Sequence, residues 1–351
     1  MSLIRGISGI RGIVDKSLTK SIINLHVQAF SEIQNPGTIL LARDSRAHGE
    51  VLINIAAEAL KESGRDVINY DIIPTPTAQF LVQENNFSGG IVITASHNPL
   101  EWNGMKFIEK NGCFLDAEKN KNLFSIADTL SLDKNSFGSV KNIDNGYIDH
   151  INHTVKLSCI DSNAIKKRKF KVVVDAVNGA ASIALPSLLE SLGCLVKPIH
   201  CIPDGTFPRG AEPLPNNLID LGNAVKKHDA DIGIATDPDG DRLAIVDENG
   251  NPLGEEYTLV ICADGYFKSS SFLSPIITNL STTMAMDKIA EKYGVKVIRS
   301  AVGEINVVNK MIEVGALFGG EGNGGVILSE SHYGRDSLIG TAMILNRMIQ
   351  D

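Results

Sequence analysis

The run Thr236-Asp237-Pro238-Asp239-Gly240-Asp241-Arg242 sets three carboxylates at alternate positions across a Pro-Gly turn. Carboxylates crowded in this way repel one another, and a bound divalent cation relieves the repulsion. Hard oxygen donors on a tight loop suit Mg²⁺, which keeps positions open for water or phosphate. The spacing also invites an EF-hand reading, with Glu248 as the distal ligand. Arg242, standing where such a loop needs glycine, and the strand-like Leu243–Val246 exclude it. The plainer alternative is a solvated acidic turn. Arg242 beside the acids favours chemistry, because a phosphate on the metal needs a cationic partner.

A second group follows the apolar run Gly90-Ile91-Val92-Ile93: Thr94-Ala95-Ser96-His97-Asn98-Pro99. A turn accounts for Asn98 and Pro99, and a lone serine there is ordinarily a turn or cap residue. The hydrolase pattern G-x-S-x-G is absent. His97 is a catalytic candidate, but neighbouring side chains on an extended stretch diverge, so no serine–histidine dyad is read. A serine that carries a phosphoryl group needs a metal and cations instead of a triad. Together with the acidic loop, Ser96 reads as a nucleophile or phosphate carrier. Lys106, in Asn103-Gly104-Met105-Lys106, is close enough in sequence to cover the same site; taken alone it reads as a surface lysine.

The third group is Gly319-Gly320-Glu321-Gly322-Asn323-Gly324-Gly325. A dinucleotide loop should open a helix, yet Val326-Ile327-Leu328 reads as another strand. Glu321 and Asn323 suit hydrogen bonding to a polyhydroxylated ligand, with an incidental glycine turn as the alternative. Arg11 in GISGIRG and Arg43 and Arg46 in ARDSR are each, singly, surface or salt-bridged arginines. There is no Walker A sequence, so a nucleoside triphosphate is not indicated.

Strands and helices must alternate to place these groups. Strands are expected at residues 38–41, 67–73 and 91–94, with helices at 50–63 and 76–85. The pattern restarts with strands 170–175, 195–200 and 231–236 and helices 179–192 and 218–227. It restarts again with strands 276–279, 295–300 and 316–318 and helices 284–293 and 304–313. Residues 341–349 read as a further helix. The expected fold is α/β: three successive similar domains with mixed, largely parallel sheets flanked by helices. The boundaries fall after the polar tract 133–145 and near Gly254, giving 1–148 for the serine, 149–254 for the metal loop and 255–351 for the glycine-rich loop that suits a polyhydroxylated ligand.

Composition narrows the class. The chain has 351 residues, 43% hydrophobic and 21% charged, with net charge -8. At roughly 100–200 residues per domain this means two or three domains. The acidic balance argues against nucleic acid as a partner. Five scattered cysteines without a C-x-x-C pair fit reduced thiols in a cytoplasm, not a disulfide framework or zinc site. Arg5 and Arg11 interrupt the apolar N-terminus, so no signal peptide is read, and no apolar run is long enough for a membrane span.

GIRG, TASHNP, NGMK, DPDGDR and GEGNGG, in that order, resemble the α-D-phosphohexomutases, the family of phosphoglucomutase, phosphomannomutase and phosphoglucosamine mutase. The resemblance covers essentially the whole chain, and TASHNP with DPDGDR is its most specific part. It implies four domains around one deep cleft. It implies a phosphoryl group on Ser96 and Mg²⁺ held by Asp237, Asp239, Asp241 and the phosphoserine oxygen. The substrate would be a hexose phosphate, with a hexose 1,6-bisphosphate as intermediate and activator and a net shift of phosphate between C6 and C1. Arg11 and Lys106 become candidates for proton transfer, and Arg242 and Arg11 for phosphate contact. Glu321, Gly322 and Asn323, with Gly303, become the sugar-binding set.

Two departures stand out. Many relatives have Ser in place of Asn323 and His in place of Gly325, so His332 is a candidate replacement for that histidine. The phosphate-clamping loop of the family's fourth domain is absent, so poor turnover by this chain alone is expected. The alternatives are a non-catalytic sugar-phosphate binder of the same fold and a Mg²⁺-dependent phosphatase.

Overall fold

The computed structural model describes residues 3–131, 137–270 and 272–350. Three sheets follow one another along the chain. The first has seven strands in the order Ile4–Gly6, Gly9–Ile13, Trp102–Glu109, Gly89–Ile93, Ile39–Arg43, Val67–Ile72, Val140–Asn142. Its centre is parallel and its Gly9–Ile13 side antiparallel. Ile39–Arg43 and Gly89–Ile93 are buried along their whole length, which explains why they read as continuous apolar runs without alternation. Successive side chains still point to opposite faces. Ile39, Leu41, Ile91 and Ile93 pack with helices Lys20–Ile33, Gly49–Glu62 and Ala117–Thr129, while Leu40 and Val92 pack with helix Thr75–Glu84.

The second sheet runs Leu243–Val246, Ile232–Thr236, Lys171–Asp175, Leu195–Ile199. The third runs Val297–Ser300, Ile276–Asn279, Phe318–Glu321, Gly325–Leu328. Each is parallel except for one antiparallel edge strand. Helices Glu255–Ser269 and Ser337–Met348 contribute Leu259, Leu338 and Met343 to one apolar cluster that also holds Val172 and Phe318, so the second and third units share a core. None of the described helices is long and apolar enough to cross a membrane.

Several sequence expectations need correction. The single helix 179–192 is a 3₁₀ turn, Ala180–Ser182, followed by a helix, Ala184–Ser191. Pro186 has no N–H to give the Ser182 carbonyl, and its ring obstructs a continuous helix there. The strand expected at 316–318 is Phe318–Glu321, because the glycines enter the sheet and pair with Gly325–Leu328, Glu321 opposite Gly325. Strand Trp102–Glu109 and the N-terminal hairpin were not expected, since Asn, Gly and Lys at intended strand positions obscure the alternation. The expected succession of three mixed-sheet α/β units is present, the first sheet having seven strands and the other two four each. Residues 133–136 of the polar tract lie outside the described residues, and its remainder includes the edge strand Val140–Asn142.

Where the three units meet, His150 Nε2 of the second and His332 Nε2 of the third lie 3.0 and 2.9 Å from Asp336 Oδ2, all fully buried. Thr77 Oγ1 is 3.0 Å from His150 Nδ1, and Phe80 stacks on the same ring. The other oxygen of Asp336 caps helix Ser337–Met348 through the Leu338 and Ile339 amides.

Candidate functional site

Ser96 sits just past the C-terminal end of strand Gly89–Ile93, in left-handed backbone conformation with φ +49°. A non-glycine residue in that region costs free energy and persists only where surrounding contacts over-determine it. Arg46 supplies those contacts. Its guanidinium donates to the carbonyls of Ser96, Asn98 and Pro99 at 2.7 Å each and to Asp44 Oδ2 at 3.1 Å. Thr94 Oγ1 donates to the same Asp44 oxygen at 2.7 Å and accepts the Ser96 amide at 2.8 Å. Arg46 is therefore a buried scaffold and not a surface arginine; Arg43 is also buried and pairs with Asp71.

The turn also changes the reading of His97. Because the chain is not extended at Ser96, His97 Nδ1 comes within 3.4 Å of Ser96 Oγ instead of diverging. The same nitrogen lies 3.0 Å from Arg242 Nη2. Burial first, then Arg242, pulls the His97 pKa down to about 4, so its ring is neutral at ordinary pH.

The aspartate loop turns the antiparallel pair Ile232–Thr236 and Leu243–Val246 at the same place. Gly240 takes φ +72°, which the reversal requires. Asp237 Oδ2 lies 3.3 Å from Ser96 Oγ, and Asp237 Oδ1 accepts the Asp241 and Arg242 amides. Asp239 Oδ2 accepts Thr75 Oγ1 at 2.8 Å and Lys106 Nζ at 2.7 Å. Asp241 Oδ2 accepts Lys106 Nζ at 3.2 Å and Arg335 Nη2 at 2.5 Å. Two buried oxygens, Asp239 Oδ1 and Asp241 Oδ1, have no hydrogen-bond partner among the described residues. Orphaned carboxylate oxygens within a trio of converging acids are what a hard divalent cation would satisfy, so the residues present fit a metal. Burial, with Asp241 and Asp239 as neighbours, pushes Asp237 well above the ordinary carboxylate range. Burial also opposes ionisation of Asp239, but Lys106 overcomes it and holds that group low.

Lys106 is not a surface residue. It projects from the middle of strand Trp102–Glu109 and is 3% exposed. Burial disfavours its charge, yet Asp239 and Asp241 raise its pKa, so it is an ammonium. Arg11 lies on the neighbouring strand, with Nη1 3.0 Å from Asn98 Oδ1. Arg242 reaches outward to Glu212 Oε1 at 3.1 Å.

A cavity of about 260 Å³ brings these groups together with the third unit: Arg11, Ser96, His97, Lys106 and Arg242 face Gly303, Glu321 and Asn323 across it. Gly322 lies in the same turn, its amide donating to Thr282 Oγ1. Glu321 is more tightly held than a free ligand-binding carboxylate, with Oε1 accepting Asn279 Nδ2 and the Gly303 amide. Asn323 is the more open of the pair. A larger hollow of about 640 Å³ near Arg65 and Pro36 contains none of these residues.

Two charged lining residues escaped the sequence reading: Glu304 and Arg335. Glu304 begins helix Glu304–Val314, and burial raises its pKa to about 7. His332 is not the cation of the sugar side; it is committed to Asp336. Arg335 occupies that place, since a Cβ on residue 325 would stand 2.2 Å from Arg335 Cδ.

Residues 2–134, 145–250 and 254–351 match alpha/beta/alpha domains I, II and III of phosphoglucomutase/phosphomannomutase. A phosphoglucomutase/phosphomannomutase of Thermococcus kodakarensis is 37% identical, over 98% of this chain and 77% of its own length. A probable phosphoglucosamine mutase of Methanopyrus kandleri is 31% identical, over 99% of this chain and 76% of its own. A crystal structure of a phosphoglucomutase/phosphomannomutase family protein from Burkholderia thailandensis superposes with TM-score 0.89 at 27% identity, covering 99% of this chain and 77% of that one.

Proposed function

The chain belongs to the phosphoglucomutase/phosphomannomutase family, and from that premise we propose that it moves a phosphoryl group between C6 and C1 of a hexose phosphate through Ser96. The observation that supports this most is the approach of Ser96 Oγ to Asp237 in a cavity ringed by Lys106, Arg11 and Arg242. Phosphoryl transfer asks a protein mainly to position the reacting oxygens and neutralise charge, and these residues do both.

Ser96 gives its phosphoryl group to a sugar hydroxyl: the Oγ–P bond breaks, a sugar O–P bond forms, and a hexose 1,6-bisphosphate results. After the sugar reorients, its other phosphate returns to Ser96 Oγ. The proton lost by the sugar hydroxyl in the first half is restored in the second, so no hydrolytic water is required. Lys106 and Arg11 neutralise the phosphoryl oxygens, and Lys106 is the candidate proton carrier. His97, neutral and beside Oγ, accepts from Arg242 and so fixes that guanidinium against the phosphate. Asp237, Asp239 and Asp241 would hold Mg²⁺, which would supply Lewis-acid neutralisation at the phosphate. Asn323, Gly322, Glu321 and Gly303 would bind the sugar hydroxyls.

Assays of conversion of glucose, mannose and glucosamine 1-phosphates, with inorganic phosphate followed in parallel, test the reading. Interconversion of at least one pair without stoichiometric phosphate release is expected. Steady phosphate release would replace it with a phosphatase, and binding without any transfer with a sugar-phosphate-binding protein.

A further inference from the structure

One buried side chain joins the metal loop to the sugar side of the cavity. Arg335 Nη2 lies 2.5 Å from Asp241 Oδ2, Nη1 2.8 Å from Glu321 Oε2, and Nε 3.1 Å from Glu304 Oε2. Its own backbone amide donates to Glu304 Oε1 at 3.2 Å. Asp241 belongs to the second sheet unit, whereas Glu321 and Glu304 belong to the third. The guanidinium is a rigid planar fork, so its prongs cannot move independently. It grips one oxygen of Asp241 and leaves the other, Oδ1, without a hydrogen-bond partner among the described residues. Gly325 makes room for it: a Cβ there would come within 2.2 Å of Arg335 Cδ and 2.8 Å of Cγ.

Resting on the mutase reading, we propose that Arg335 is a positioning residue that couples the sugar loop to the cation site, orienting Asp241 for the metal while it holds Glu321 for the sugar. Partners that orient a ligating carboxylate govern metal affinity without touching the metal. A disturbance at Glu321, whose hydrogen-bond partners are Asn279, Gly303 and Arg335, is then felt at the aspartates. By linkage, the cation strengthens the grip on the sugar as much as the sugar strengthens the grip on the cation.

The test is Mn²⁺ affinity of the full chain, read from the paramagnetic resonance of the free ion, in the parent, R335K, E321Q, G325A and R335K/E321Q, with thermal unfolding as the check on folding. R335K is expected to bind Mn²⁺ at least about tenfold more weakly, because lysine keeps the charge but cannot serve three carboxylates. E321Q and G325A, the latter changing no charge, are each expected to weaken it about threefold or more. The double variant should be within about twofold of R335K, since both changes act through one fork. Parental affinity in R335K, E321Q or G325A, or losses that multiply in the double variant, would overturn the proposal. If R335K does not fold, E321Q and G325A decide alone. A parent that binds Mn²⁺ and accepts phosphate on Ser96, with parental E321Q and G325A, leaves the mutase reading standing and removes Arg335 from it. A parent that does neither strikes the mutase reading itself.

Discussion

Ser96 Oγ and Asp237 Oδ2 are 3.3 Å apart although 141 residues separate them in sequence. The approach is produced by two strand ends, Gly89–Ile93 and Ile232–Thr236, whose following turns meet. Thr75, at the start of helix Thr75–Glu84, seals the contact: its amide donates to the Asp239 carbonyl and its hydroxyl to the Asp239 carboxylate. The serine and the acids are thus held by different sheets but fixed against each other by hydrogen bonds.

Cation binding is expected to be pH-dependent. Asp237 is raised by burial and by its two acidic neighbours, so its proton must leave before the carboxylate can take a metal. Mg²⁺ affinity measured by calorimetry should rise with pH from 5 to 8, with proton release detectable in buffers of different ionisation enthalpy. At a hundred times its dissociation constant the ion should add about 2.7 kcal/mol to unfolding stability. D239N should lose most of that gain.

Lys106→Met should be strongly destabilising without metal. It removes the ammonium shared by Asp239 and Asp241 and leaves the buried Asp239 without a cationic partner, Asp241 keeping Arg335, a change that costs about 3–5 kcal/mol. Thermal unfolding with and without Mg²⁺ checks this, and the deficit should shrink when the ion is present.

Glu304 predicts a stability slope of opposite sign to that of an ordinary salt-bridged acid. Its folded pKa, about 7, is raised, first by burial. The fold therefore prefers the protonated form, and this contribution is fully present below the unfolded value near 4.3 and lost as pH rises through 7. The loss is on the order of 3 kcal/mol. Urea unfolding of E304Q should lack this decline between pH 5 and 8.

Arg46→Lys keeps a charge but loses the fork that fixes the Ser96 turn. Phosphoryl uptake on Ser96 should slow by at least about tenfold, because a small misplacement of a reacting oxygen is costly. A variant with parental uptake rate would show that the left-handed turn holds itself.

Much of this site could be read from the sequence because its chemistry is locally crowded. The alternating aspartates announce a cation wherever the loop lies, and Ser96 after an apolar run places a hydroxyl at a strand end. Taken singly, Lys106 and Arg46 read as surface residues, and Glu304 and Arg335 were missed, for the opposite reason. Lys106 entered the site only through its neighbours and the family resemblance. The role of each comes mainly from acids or carbonyls distant in sequence, although Arg46 also bonds Asp44 two residues before it. The apolar strands Ile39–Arg43 and Ile276–Asn279 were legible from burial alone. Strand Trp102–Glu109 was not, since Asn103, Gly104 and Lys106 owe their places in it to the site they serve. The helix 179–192 failed through one proline.

The central claim is that Ser96 takes up phosphate beside the aspartate loop. Peptide mass spectrometry of the parent and S96A, after incubation with glucose 1,6-bisphosphate and Mg²⁺, tests it most directly. One phosphoryl group on Ser96 in the parent, none in S96A and none in the parent when the ion is chelated is the predicted result. An unmodified Ser96, or equal uptake by S96A, would contradict it.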